Sequence, residues 1–139
     1  LIETILATDM ARHSDVTTQF AKFVERVPDQ LLVMDSFTPV SQKLSNSQKL
    51  CVMRTLVHAA DISNPTKQWA VASRWSEAIV EEFYAQGEKE AENGLPISPG
   101  FDRRKHLPGK GALSFADFVV IPLFEDLKRI LPMASQCLV

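Results

Sequence analysis

The stretch Leu50–Lys67, LCVMRTLVHAADISNPTK, puts a carboxylate where an apolar helix runs out. Leu50, Met53, Leu56, Val57 and Ala60 recur at helical spacing, which predicts a helix whose buried face ends at Asp61. Burying an unpaired carboxylate costs on the order of several kcal/mol, so this pattern asks for a cation, a set of hydrogen-bond donors or a metal ion beside Asp61. Asn64 and Pro65 stop the helix. The plainer alternative is a helix end with an Asx-type turn, in which Asp61 and Asn64 bond to nearby backbone groups.

Outward from this stretch the chain reads as four helical segments joined by polar loops, with no strand alternation and no internal repeat. The first runs from Leu1 to about Val27, with Ile2, Leu6, Met10, His13, Phe20, Phe23, Val24 and Val27 on one broad apolar stripe, and ends at Pro28 and Asp29. Leu31–Val40 fits either a short helical turn or an extended stretch before Pro39. The second helix starts near Ser45, where Ser45 and Gln48 have the spacing of a capping box. The third runs from about Trp69 to Asn93, with Val71, Trp75, Ile79 and Phe83 four apart, Gln86 on the same drifting stripe, and Gly94 as a left-handed stop. Three prolines and four glycines between Gly94 and Leu113 predict a long exposed loop able to cover a site. The last helix is expected to open at Ser114, boxed with Asp117, to carry Phe118, Val119, Leu123 and Leu127, and to bend at Pro122.

At 139 residues the chain has the length for one core, or part of one, and not for two ordinary domains. A net charge of −2, with both signs interspersed, offers no basic stripe of the kind nucleic acid requires. Two cysteines, Cys51 and Cys137, do not make a disulfide framework, and a reducing, intracellular, cytoplasmic setting is the simpler expectation. No apolar run is long enough to span a membrane, and the first residues lack a signal-peptide pattern. A chain that opens at Leu1 already in helical register reads as part of something longer, with an apolar, association-prone face where further helices would pack. Membrane attachment through other regions and oligomeric state stay open.

The run HAADISNP from His58 resembles the H-x-A-D-x-S-N-P signature of class I cyclic nucleotide phosphodiesterases. Four further islands resemble the same family in the same order: ATDMARH from Ala7, RWSEAIVEEFYAQGEKE from Arg74, Ile97-Ser98-Pro99, and FADFVVIPLFE from Phe115. The resemblance covers essentially residues 1–139 and corresponds to the C-terminal part of the family's catalytic domain. It implies an all-α, multi-helix phosphodiesterase-type fold, similar to the HD superfamily, as one unit over the chain.

For the complete protein the resemblance implies hydrolysis of 3′,5′-cyclic nucleotides, cAMP or cGMP, to 5′-monophosphates in second-messenger signalling. In that family two divalent ions, zinc with magnesium or manganese, activate a hydroxide that attacks phosphorus, and a histidine protonates the leaving oxygen. Carried over by motif, Asp61 matches a non-bridging ligand of the first metal. The ligand histidines, the bridging aspartate and the acid histidine belong to motifs that precede ATDM and are not in this sequence. His13 and His58 match positions that are not metal ligands and read as helix histidines satisfied by a neighbouring carbonyl or carboxylate, while His106 reads as a solvated loop residue. One carboxylate does not hold zinc, so this chain alone is expected to be inactive.

The substrate pocket is better represented. Phe115 and Ile79 match the two sides of the family's purine clamp, Phe83 lines the same wall, and Asn64 matches the asparagine near the base edge. Trp75 matches a pocket-edge tryptophan, and Met10 a methionine facing the phosphate and sugar. Ordinary core packing is the competing reading for each aromatic residue. Two positions depart from the pattern: Ala112 stands where the family has a purine-binding glutamine, and Ala72 where a tyrosine is common. The first loss is worth about 1–3 kcal/mol, a tenfold to hundredfold change in affinity at roughly 1.4 kcal/mol per decade. The choice between cAMP and cGMP is left open by it. The rival reading is a non-catalytic helical remnant that senses nucleotide or binds a protein.

Overall fold

A computed structural model of the chain describes residues 2–26, 44–105 and 109–138, and every regular element among them is helical. The elements are α1 (Ile2–Leu6), α2 (His13–Arg26), α3 (Asn46–Asp61), α4 (Trp69–Glu92), α5 (Lys110–Phe115) and α6 (Ile121–Leu127). Short 3-10 turns occupy Met10–Arg12, Asn64–Thr66 and Pro132–Leu138, and a π-helical turn, Ala116–Val120, links α5 to α6. Leu31–Val40, Pro28, Asp29 and His106 lie outside the described residues. The chain divides into two compact units, Leu1–Ser63 with Val120–Val139 and Asn64–Val119.

In the first unit α2 packs against α3 and α6, and α1 packs against α3. The core consists of Val16, Phe20 and Val24 from α2, Val52 and Ala59 from α3, and Val120, Leu123, Phe124, Leu127 and Ile130 around α6. Burying each large side chain stabilises this unit by roughly 1.5–3 kcal/mol.

The single helix expected over Leu1–Val27 is broken. The Thr8 N–H and hydroxyl both bond to the Ile5 carbonyl and close α1. Asp9 then accepts from the Ala11 N–H and caps the next turn. Local side-chain bonding of this kind competes with helix continuation, and here it resets the helical phase. Thr4 and Ala7 become the buried positions, while Ile2, Leu6 and Met10 are exposed.

The capping box at the start of α3 forms as expected: Ser45 Oγ accepts from the Gln48 N–H, and Gln48 Oε1 accepts from the Ser45 N–H. Its buried face is not the expected one. Val52, Thr55, His58, Ala59 and Ile62 are buried, whereas Met53, Val57 and Ala60 are exposed and Leu50 and Leu56 are half-buried. Thr55 and Ala59, both small, lie on that buried side. Asp61 therefore ends the open side of α3 and is exposed, which corrects the expectation of a buried carboxylate. Ile2, Ile5 and Leu6 of α1, Met10 of the following turn, and Met53 and Val57 of α3 are exposed apolar residues of this unit.

The second unit is organised by α4. Asn93 caps its end through bonds to the Lys89 and Ala91 carbonyls, and Gly94 takes the expected left-handed φ of 68°. Only part of the predicted loop after it is irregular. Gly109, at φ 80°, opens α5 at Lys110, so Ser114 lies inside a helix and does not cap one. The departure at Pro122 is also local. Lacking an N–H, Pro122 is placed in the first turn of α6, and the π-helical turn immediately precedes it.

Candidate functional site

In the first unit the candidate residues are Met10 and Asp61. Met10 starts the 3-10 turn that leads into α2 and is 44 % exposed. One turn before Asp61 on α3, the ring of His58 is fully buried. Its Nε2 lies 2.8 Å from Nδ1 of His13, the first residue of α2, with ring centroids 5.1 Å apart. The two motif islands ATDMARH and HAADISNP are thus joined through their histidines, a partnership that the reading of each with a carbonyl or carboxylate missed.

A neutral pair shares one proton across this contact, whereas two imidazolium rings would oppose N–H to N–H. Burial pushes His13 below the ordinary histidine range. Burial and then the neighbouring His13 push His58 down, partly offset by Asp61 and the Ala7 backbone. Both rings are therefore held neutral near pH 7.

Among the described residues no cluster of three His, Cys, Asp or Glu side chains is placed to hold an ion with Asp61. A single exposed carboxylate does not fit a zinc or magnesium centre, which takes at least three protein ligands in its catalytic zinc form. No metal-dependent step is assigned to these residues.

The remaining candidates are in the second unit. Asn64 opens the short turn that packs on α4, and Trp75, Ile79 and Phe83 follow one another at single-turn spacing on α4. Trp75 is 52 % exposed, Phe83 41 % exposed and Ile79 half-buried. Trp75 and Phe83 thus leave an open apolar surface on α4. Gln86 follows on the same helix face, and its side-chain amide donates to Glu90 at 2.8 Å. Phe115 closes α5, half-buried, with Ala112 one turn before it on the same helix face. A side chain at position 112 therefore lies beside Phe115, as a base-reading residue would need to, but alanine has neither donor nor acceptor.

Sequence patterns missed the segment that follows α4. Residues 97–103 run back along it, where Phe101 stacks on Phe83 with centroids 4.5 Å apart and planes inclined by 8°. Arg103 donates to both carboxylate oxygens of Glu81 at 2.9 Å and to Glu88 at 3.1 Å, and its guanidinium lies 4.5 Å over the Tyr84 ring. Glu90 accepts from the Ser98 N–H at 2.7 Å and the Ser98 hydroxyl at 2.9 Å. The Arg103 bonds hold the Glu81 carboxyl below the usual range, and the Gln86 amide followed by Ser98 does the same for Glu90. The available signal was Gly87 in mid-helix, a position that only close backbone approach explains.

An all-helical chain with these motif islands and an open aromatic stripe defines a class of protein. Its sequence matches the family model of 3′5′-cyclic nucleotide phosphodiesterase over residues 1–139, and the chain belongs to that family. It is 40 % identical over 141 aligned residues to the dual specificity calcium/calmodulin-dependent 3′,5′-cyclic nucleotide phosphodiesterase 1B of Cricetulus griseus, covering 98 % of this chain and 23 % of that protein. With a 3′,5′-cyclic-AMP phosphodiesterase of Drosophila melanogaster, isoform F, it shares 37 % identity over 128 residues, covering 90 % and 18 %. The solved structure of LmjPDEB1 in complex with IBMX superposes with a TM-score of 0.78 at 33 % identity, over 98 % of this chain and 37 % of that one. The chain thus spans about a quarter of the length of the phosphodiesterase 1B relative. Among the described residues no helix is long and apolar enough to cross a membrane.

Proposed function

We propose that the protein carrying this chain hydrolyses 3′,5′-cyclic nucleotides to 5′-monophosphates, and that the chain supplies the base-binding wall. The observation that carries this reading is the apolar stripe Trp75–Ile79–Phe83, left open on α4 within a chain that matches the family from end to end. An open aromatic surface with few polar groups suits a purine ring, which binds by stacking and area burial. Ile79 and Phe115 form the clamp, Phe83 and Trp75 extend it, Asn64 addresses the base edge, and Met10 faces the phosphate and sugar. Asp61 contributes one carboxylate to a centre of two divalent ions, zinc with magnesium or manganese, whose other ligands are not among these residues. The chain by itself neither assembles that centre nor turns over substrate.

The test is hydrolysis of cAMP and cGMP, with magnesium and zinc supplied, by this chain and by a longer product of the same gene. Turnover only by the longer product is the expected result and identifies the preferred base. A longer product that turns over neither nucleotide would overturn the enzymatic reading. If that product still bound cyclic nucleotide, a sensing module would take its place, a reading favoured by Ala112 at the base-reading position.

A further inference from the structure

The segment 97–103 is strapped to α4 at four successive points, and one of them is the back of the proposed purine wall. At Gly87 the Phe101 backbone approaches so closely that a Cβ would overlap the Phe101 carbonyl oxygen and sit 2.9 Å from its carbonyl carbon. Around this contact Glu90 holds Ser98, Arg103 spans Glu81 and Glu88 across Tyr84, and Gly100, at φ 86°, provides the turn between them. The main chain on either side of Phe101 is thereby fixed, and its ring is laid parallel to Phe83. Phe83 nevertheless keeps 41 % of its surface exposed.

We propose that Phe101 is a positioning residue for the nucleotide site: it holds the Phe83 ring in one orientation before the base arrives, and Arg103 holds Phe101. An unsupported, exposed phenylalanine would lose rotamer freedom on binding a base. A ring already stacked from behind has lost that freedom on folding, so less binding energy is spent on ordering it. The inference rests on the proposed role of Phe83 and adds an affinity determinant from a segment that does not itself have to touch the nucleotide.

The test compares Phe83→Ala, Phe101→Ala, Phe101→Tyr and Arg103→Ala in the longer, hydrolysing product, by steady-state kinetics and thermal melting. Phe101→Ala is expected to raise KM roughly threefold to tenfold, the equivalent of one aromatic pair, with kcat within about twofold. Phe101→Tyr should restore KM, and Arg103→Ala should raise it by a smaller factor. A strap that only stabilised α4 would lower the melting temperature in Phe101→Ala and leave KM alone. If Phe83→Ala raises KM and Phe101→Ala does not, the positioning role is wrong and the wall stands. If Phe83→Ala itself leaves KM unchanged, the wall was misplaced and the positioning role falls with it.

Discussion

Replacing Gly87 by alanine sets two opposing effects against each other, and the structure says which one wins. In an exposed helix interior the change would stabilise by about 1 kcal/mol through propensity alone. Gly87 is buried, however, and the new methyl group meets the Phe101 carbonyl carbon at 2.9 Å and its Cβ at 3.1 Å. The obstacle is backbone, which a rotamer change does not relieve, so residues 100–102 must move away by about an ångström. Overpacking of this kind costs about 1–3 kcal/mol. Displacement also breaks the Phe83–Phe101 stack, worth about 0.5–1.5 kcal/mol more. The net expectation is a loss of about 0.5–3.5 kcal/mol, concentrated in the second unit. Hydrogen exchange with peptide-level mass spectrometry should show faster exchange over residues 97–105, and limited proteolysis earlier cutting there, while the exchange of α2 and α3 is unchanged. An alanine variant that melts higher than the parent with this segment equally protected would refute the reasoning, because propensity would then have prevailed over a contact too loose to matter.

In the longer product, Asp61→Asn should abolish turnover and lower metal occupancy while the circular dichroism spectrum is retained; full activity would make Asp61 only a turn residue. Ala112→Gln should lower KM by about tenfold by restoring a donor and acceptor beside Phe115, and an unchanged KM would mean that the register at α5 is misread. His13 and His58 both titrate below the ordinary histidine value of 6.5 in the folded chain, so the unfolded state takes up more protons as pH falls. Their contribution to stability is therefore complete above about pH 6.5 and is lost as pH drops through the folded values. Denaturant melts from pH 8 to 5 should show this decline, and a His13→Gln, His58→Gln double variant with the same decline would assign it elsewhere. The carboxylates held below their usual range, including Asp102 at about 2, act in a separate window below about pH 4.5.

Helix content was legible wherever local chemistry decides it. The Ser45–Gln48 box, the Gly94 stop and the extent of α4 follow from side chains that bond to their own backbone or from glycine at a left-handed turn. The buried face was legible in α2 and α6, where Phe20, Val24, Leu123 and Leu127 lie on the expected stripes, but not in α3. The apolar periodicity of α3 points to Met53 and Val57, yet the packed side is lined by Thr55, His58 and Ala59, where His58 shares a hydrogen bond with His13 of α2. The break after α1 escaped notice because Thr8 and Asp9 also suit a helix by periodicity, and only their bonds to Ile5 and Ala11 show the interruption.

The site divides along the same line. Residues that bear the family's motifs were readable one at a time, since a motif names a position without regard to its neighbours. Pairings across the chain were not: His13 with His58 lies 45 residues apart, and Phe83 with Phe101 joins a helix to a loop that composition marks only as irregular. The strap explains why that loop is tied to α4 without a hydrophobic core of its own. Tyr84 and Gly87 are the only buried residues that α4 contributes among the described residues. Arg103 lies over the first, the Phe101 backbone over the second, and Glu81, Glu88 and Glu90 flank them. Exposed ion pairs are individually weak. Here they act on a backbone already seated against glycine, so their role is to select one placement of Phe101, and through it one placement of the ring that is proposed to meet the base.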